Sequence, residues 1–193
     1  METLPLIVWD VDDVLNHLTY EWFEEYRLAH GLTLRYDELT ANPPFEIMGI
    51  KREEFLSALD DFRRRRFAAL EPHPETMAWF RAHGNRFRHV ALSAVPMRCA
   101  PLSAEWVLRH YGKWIRGYQV VPSPRPDDDF QIYATTKGEV LAQFGPVDFM
   151  VDDSEANLAT AAALPVRPVI FPAPWNRKFH EDPTVILEQN LVI

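Results

Sequence analysis

Residues 6–16 read LIVWDVDDVLN, and here four apolar residues run straight into three aspartates within four positions. Leu6, Ile7, Val8 and Trp9 show no polar alternation, the pattern of a short strand buried on both faces inside a parallel sheet. Asp10, Asp12 and Asp13 then crowd its C-terminal end. Clustered carboxylates repel one another and lose hydration when shielded, so folding alone does not select them. A divalent cation offsets that repulsion most simply, and hard cations such as Mg2+ take oxygen ligands.

The rest of the chain alternates in the same manner. Residues 15–30 place Leu15, Leu18, Trp22, Tyr26 and Ala29 at helical spacing, with Gly31 as the stop. Pro43 and Pro44 make residues 41–49 irregular. Helices are expected over 51–70 and 74–83, a strand over 87–96 that ends at Ser93, and a helix over 100–111. Further strands are expected at 118–123, 147–154 and 166–171, with helices over 136–144 and 155–164 between them. Strands alternating with helices predict an α/β, Rossmann-like, doubly wound and mostly parallel sheet. One interval breaks the pattern, since Asp10 and Ser93 lie 83 positions apart while a βαβ unit needs about 30 residues. The surplus is helical. It predicts an α-helical cap over 15–71, inserted after the first strand of a core formed by 1–14 and 72–193, and covering the strand ends where such sheets bind ligands.

Composition narrows the partners. With 47% apolar residues in 193, the chain can bury a sizeable core. A net charge of -8 argues against a binding face for nucleic-acid polymers. Cys99 is the single cysteine, which excludes an intrachain disulfide and suits a reducing compartment. No stretch approaches the length of a membrane span, so a cytoplasmic protein without membrane contact is expected. The histidines show no zinc-ligand spacing.

Asp10, Asp12 and Asp13, Ser93, Lys137, and Asp152 with Asp153 all fall at the same predicted sheet edge. Together they form one chemically complementary set. In this set the chain resembles the haloacid dehalogenase superfamily, on its phosphatase side. DVDDV resembles that family's first motif, ALSA (91–94) its second, Lys137 the basic third and VDDSEAN (151–157) the acidic fourth. The resemblance implies a Mg2+-dependent phosphomonoesterase working through an aspartyl phosphate on a small phosphorylated metabolite. Asp10 would be the nucleophile and Asp12 the general acid and base, its backbone carbonyl also ligating the metal. Ser93 and Ala94 would bind the phosphoryl group, Lys137 would stabilise it, and Asp152 and Asp153 would hold the metal with Asp10. Two positions depart from the pattern: Asp13 stands where Gly is common, and Asn157 replaces a more distal acid.

Three alternatives remain open on the residues alone. They are a non-catalytic phospho-acceptor like a receiver domain, an inactive binding module, and a phosphotransferase. DDFRRRRF (60–67) reads as a solvated helix face with Asp60–Arg64 and Asp61–Arg65 pairs; the sharper reading has one arginine reach an anionic substrate. Phe45 and Met48 are candidates for contacting substrate. FPAPWNRKF (171–179) reads as a turn with Trp175 packed down, and it resembles an element of deoxyribonucleotidase-like members, which points to nucleotide monophosphates.

Overall fold

The computed structural model describes residues 4–126 and 128–191. Five parallel strands form one sheet: β1 (Leu6–Trp9), β2 (Arg88–Val95), β3 (Ile115–Pro122), β4 (Phe149–Asp152) and β5 (Arg167–Ile170), in the spatial order β3-β2-β1-β4-β5. β1 is central and pairs with both β2 and β4 (Val8 opposite Val90 and Met150). The chain winds outward through β2 and β3, then returns to the other side of β1 for β4 and β5. That reversal opens a crevice beyond the C-terminal ends of β1 and β4, where the aspartates lie.

The unbroken apolar run of β1 is explained by layers on both faces. Ile7 and Trp9 pack with Trp79 and Phe80 of α3 (Pro74–His83), Trp106 and Tyr111 of α4 (Ala100–Tyr111), and Ile186 and Leu187 of α7 (Pro183–Asn190). Leu6 and Val8 join the opposite cluster, with Val140 and Leu141 of α5 (Lys137–Leu141) and Leu158 packed against it from α6 (Glu155–Thr160). Full burial of Ile7, Val8 and Trp9 contributes about 1.5–3 kcal/mol per side chain.

Between β1 and β2 stand α1 (Leu18–His30) and α2 (Arg52–Arg66), joined by irregular chain. Gly31 closes α1 at φ 65, where a side chain would be strained. The insertion is tied at its base by an Asn16–Pro72 bridge and by His73 N–H donating to the Leu15 carbonyl at 2.8 Å. Trp22, Phe23, Phe55 and Phe62 of these helices belong to the same apolar cluster as β1, so insertion and sheet share one core.

Several boundaries differ from the sequence expectations. α1 begins at Leu18 and not at 15, because residues 12–15 form a turn and Asn16 Oδ1 accepts from Leu18 N–H at 2.9 Å at the start of the helix. α5 and α6 are shorter than expected, where Gly138 brings them close; a Cβ there would stand 2.0 Å from the Thr160 carbonyl oxygen. β3 begins three residues early, at Ile115, and α7 was not anticipated. Among the described residues no helix is long and apolar enough to cross a membrane.

Candidate active site

β1 delivers Asp10 to the crevice, and Asp10 N–H donates to Val151 of β4 at 2.8 Å. The hydrogen bonds described at its carboxylate fall on Oδ1, from Val11 N–H at 2.7 Å and Lys137 Nζ at 2.7 Å. Lys137 opens α5 from beneath the crevice and reaches Asp152 Oδ2 as well, at 2.6 Å. Burial presses the Lys137 ammonium towards neutrality, yet the two carboxylates outweigh burial and raise its pKa, so it stays charged. For Asp10 the balance falls to burial. Burial, reinforced by repulsion from Asp152 and Asp153, lifts its pKa well above the carboxylate range despite Lys137.

Asp152 and Asp153 leave β4 with different surroundings. Asp152 Oδ1 accepts from Ser154 N–H (2.9 Å) and Asn157 Nδ2 (3.1 Å), while Oδ2 holds Lys137. Asn157 thus acts on the lysine through Asp152. Asp153 lines the cleft, and Trp175 Nε1 donates to its Oδ2 at 2.6 Å. Asn176 Nδ2 donates to the Asp153 and Phe171 carbonyls. The 171–179 segment is therefore a buttress for Asp153, which its prolines alone did not reveal.

Carboxylate oxygens of Asp10, Asp152 and Asp153 lie within 4.8 Å of one another. Three buried acids against one lysine leave an excess of negative charge, and hard oxygen donors in that number suit a divalent cation such as Mg2+. Asp13 stands apart. At φ 63 it turns its side chain back to α1, accepting from Thr19 N–H at 2.8 Å and Thr19 Oγ1 at 2.5 Å. Burial, with repulsion from Asp12 and Asp10, pushes its pKa up to about 7 against those bonds. Its structural duty is to fasten the first turn of α1.

The cleft above these groups has a volume of about 280 Å3. Asp10, Asp12, Asp13 and Asp153 line its floor, Ser93 and Ala94 one side, and Asn42, Pro43, Phe55, Leu56, Leu59 and Arg63 of the insertion its roof. Among the described residues the buried hydroxyls of Ser93 and neighbouring Tyr118 make no well-formed hydrogen bond, and Ser93, which lines the cleft, is free to donate to a ligand there. Phe45 and Met48 are not among the lining residues. Met48 is buried in the shared core and Phe45 stacks near Phe55, so Asn42 and Pro43 present that loop to the cleft instead. A larger hollow of about 440 Å3 lies between α1 and α2, but no Lys–Asp network comparable to that of the cleft converges there.

The acidic–basic run of α2 corrects the expected solvated face. Asp61 pairs with Arg64 and Arg65 with Glu25, both on the surface. Asp60 and Arg63 share the inward side with Leu59 and Phe62 and are buried. Arg63 Nη2 donates to Asp12 Oδ2 at 2.8 Å. Asp60 accepts Arg125 in a two-pronged pair, Nε at 2.7 Å and Nη2 at 2.9 Å, and Arg98 Nη2 at 2.9 Å. Burial acts to raise the Asp60 pKa, but the arginines outweigh it and hold the group below the usual carboxylate range. Sequence spacing marked this run without showing which members face inward, and Arg98 and Arg125 gave no signal at all.

No protein-family model matches the chain, and no curated protein matches it either. Solved structures do. A haloacid dehalogenase-like hydrolase from Streptococcus pneumoniae superposes with a TM-score of 0.59 at 10% identity, covering 98% of this chain and 99% of the other. The fold is that of the haloacid dehalogenase-like hydrolases. Protein Tyrosine Kinase A of Mycobacterium tuberculosis matches at a TM-score of 0.58 and 21% identity, over 92% of this chain and 88% of its own. A superfamily hydrolase of subfamily IA from Geobacter sulfurreducens gives 0.50 at 15% identity, with 96% of each chain covered. These likenesses are of fold, and they extend over nearly the whole chain.

Proposed function

We propose that this haloacid dehalogenase-like protein is a Mg2+-dependent phosphomonoester hydrolase acting on a small phosphorylated metabolite, with residues 15–71 as its cap. The observation that carries the reading is one cleft holding a lysine-bound aspartate, a second aspartate two residues on, and a buried hydroxyl that makes no well-formed hydrogen bond among the described residues.

Asp10 and Asp153 present carboxylates to the cleft and would hold the cation, with the Asp12 backbone carbonyl; Asp152 stands behind them and fixes Lys137. The bound cation supplies charge neutralisation for the phosphoryl oxygens. Lys137 and the Val11 N–H occupy Asp10 Oδ1 and leave Oδ2 to attack phosphorus, forming an aspartyl phosphate. Asp12 gives its proton to the departing alcohol and later takes one from the hydrolytic water. Ser93 donates its hydroxyl proton to a phosphoryl oxygen, and Lys137 contributes positive charge beside the reacting carboxylate. A cleft of about 280 Å3 lies just under the roughly 300–1,000 Å3 usual for ligand pockets, which favours a small ester over a nucleoside monophosphate.

The fold likeness does not choose between water and an alcohol as the final acceptor, since one neighbour is named a kinase. The test is phosphate release from a panel of sugar, carboxylic-acid and nucleoside phosphates with Mg2+ or EDTA, repeated with an added alcohol acceptor. Metal-dependent release by the wild type, lost in Asp10→Asn, is the expected result. Release that survives Asp10→Asn would rule out the aspartyl route, and acceptor phosphorylation without release would make the protein a transferase.

A further inference from the structure

We propose that Arg63 receives a second anionic group, a carboxylate or a further phosphate, on the non-reacting part of the substrate. The enzyme would thereby select phosphomonoesters with a charged tail over those with a neutral one. The proposal rests on the phosphomonoesterase reading and gives its substrate class.

Phe55, Leu56 and Leu59 form the apolar roof, and Arg63 follows Leu59 by one helical turn, so the roof ends on a cation. Its side chain is only 8% exposed. A guanidinium at that depth keeps its charge and requires acceptors for donors arranged as a rigid fork. Arg63 has few. Nη2 makes the 2.8 Å bond to Asp12, Nη1 reaches Asp60 only at 3.5 Å, and Nε is buried with no partner among the described residues.

Asp60 offers Arg63 only that one long contact, since its closer bonds, at 2.7–2.9 Å, go to Arg125 and Arg98. Asp128 is turned to the Arg125 backbone N–H at 2.6 Å. Asp10 is engaged by Lys137 and Asp13 by Thr19, which leaves Asp12 as the one short-range acceptor for Arg63 among the described residues. Asp12, however, must turn an oxygen to the ester oxygen during reaction. The contact with Arg63 is therefore one that a bound substrate displaces or shares. Leu59, Arg63 and Arg125 all line the cleft, so a carboxylate or phosphate on the substrate's tail would take up the released guanidinium donors there. A neutral tail would leave them unpaired.

The test compares matched esters: phosphoglycolate against ethyl phosphate for a carboxylate tail, and propane-1,3-diol bisphosphate against propyl phosphate for a phosphate tail. A charge-assisted bond to Arg63 is expected to raise kcat/KM for the charged member by about tenfold or more. Arg63→Met should bring the ratio close to one, and Arg63→Lys should retain part of it; thermal melting of both variants checks that they fold. Equal kcat/KM for wild type, or an unchanged preference in Arg63→Met, would overturn the proposal while leaving the phosphatase reading intact. Calorimetric binding of 3-phosphonopropionate against propylphosphonate, with Mg2+, decides the role of Arg63 even if no ester turns over. Tighter binding of the charged ligand by wild type alone supports it, and equal binding refutes it.

Discussion

Asp60→Asn is the most informative single change outside the catalytic carboxylates. The substitution keeps shape and removes charge from a side chain 2% exposed, at the meeting point of α2, the residues after β2 and those after β3. Arg98 is 42% exposed and regains water, so its share of the loss is small. Arg125 and Arg63, 6% and 8% exposed, do not. Removing one partner of a buried ion pair costs about 3–5 kcal/mol, because the other charge is left unpaired. In a chain of this length about 2–4 °C of Tm accompanies each kcal/mol, so a fall on the order of 10 °C is expected. Asp61→Asn, whose pair with Arg64 is exposed, serves as the control and should change stability by no more than about 0.5 kcal/mol. Thermal and urea melts of the two variants and wild type measure the difference, and Asp60→Asn, Arg125→Met should recover part of the loss. A cost under about 1 kcal/mol, matching the control, would show that Asp60 does not hold the insertion to the sheet and that the penalty for leaving a buried charge unpaired does not apply to this cluster.

Two further outcomes are expected. Mg2+ at a hundredfold excess over its Kd should stabilise the fold by about 2.7 kcal/mol, seen as a rise of several degrees in Tm that EDTA reverses and Asp153→Asn abolishes; identical melts with Mg2+ and EDTA would remove the metal assignment. The second concerns His89, whose Nδ1 accepts from Trp9 Nε1 at 3.0 Å and whose Nε2 lies 2.8 Å from the Gly84 carbonyl. Burial lowers its pKa to about 4 in the fold against about 6.5 unfolded, so the unfolded chain binds more protons between those values and stability falls as pH drops through that window, by about 3 kcal/mol in all. Asp13, raised to about 7, pushes the opposite way. The difference between wild type and His89→Gln over pH 7 to 4 isolates the histidine, and a pH-independent difference would contradict its neutral burial.

The sheet was legible because burial on both faces requires uninterrupted apolar strands, and Leu6–Trp9 and Phe149–Val151 can be accommodated in few other ways. The insertion was legible from the 83-residue interval between Asp10 and Ser93, since a polymer that length cannot be a single crossover. Element ends were less so. The stops of α5 and α6 depend on the close approach at Gly138, a contact between segments more than twenty residues apart.

The site divides along the same line. Asp10, Asp12, Ser93, Lys137 and Asp153 were visible because each sits at a strand or helix end fixed by local pattern. Arg98 and Arg125 were not, and the arginine run of 60–67 and Trp175 were marked without their partners, for a side chain's partner across the cleft depends on how helices dock and not on spacing along the chain. Local sequence determined which groups stand at the sheet edge; the tertiary fold decided that Asp60 and Arg63 turn inward, that Trp175 braces Asp153, and that the cleft carries a cation in its roof. The physical reason is that ion pairs and orphaned donors are properties of distance in space, which periodicity does not encode.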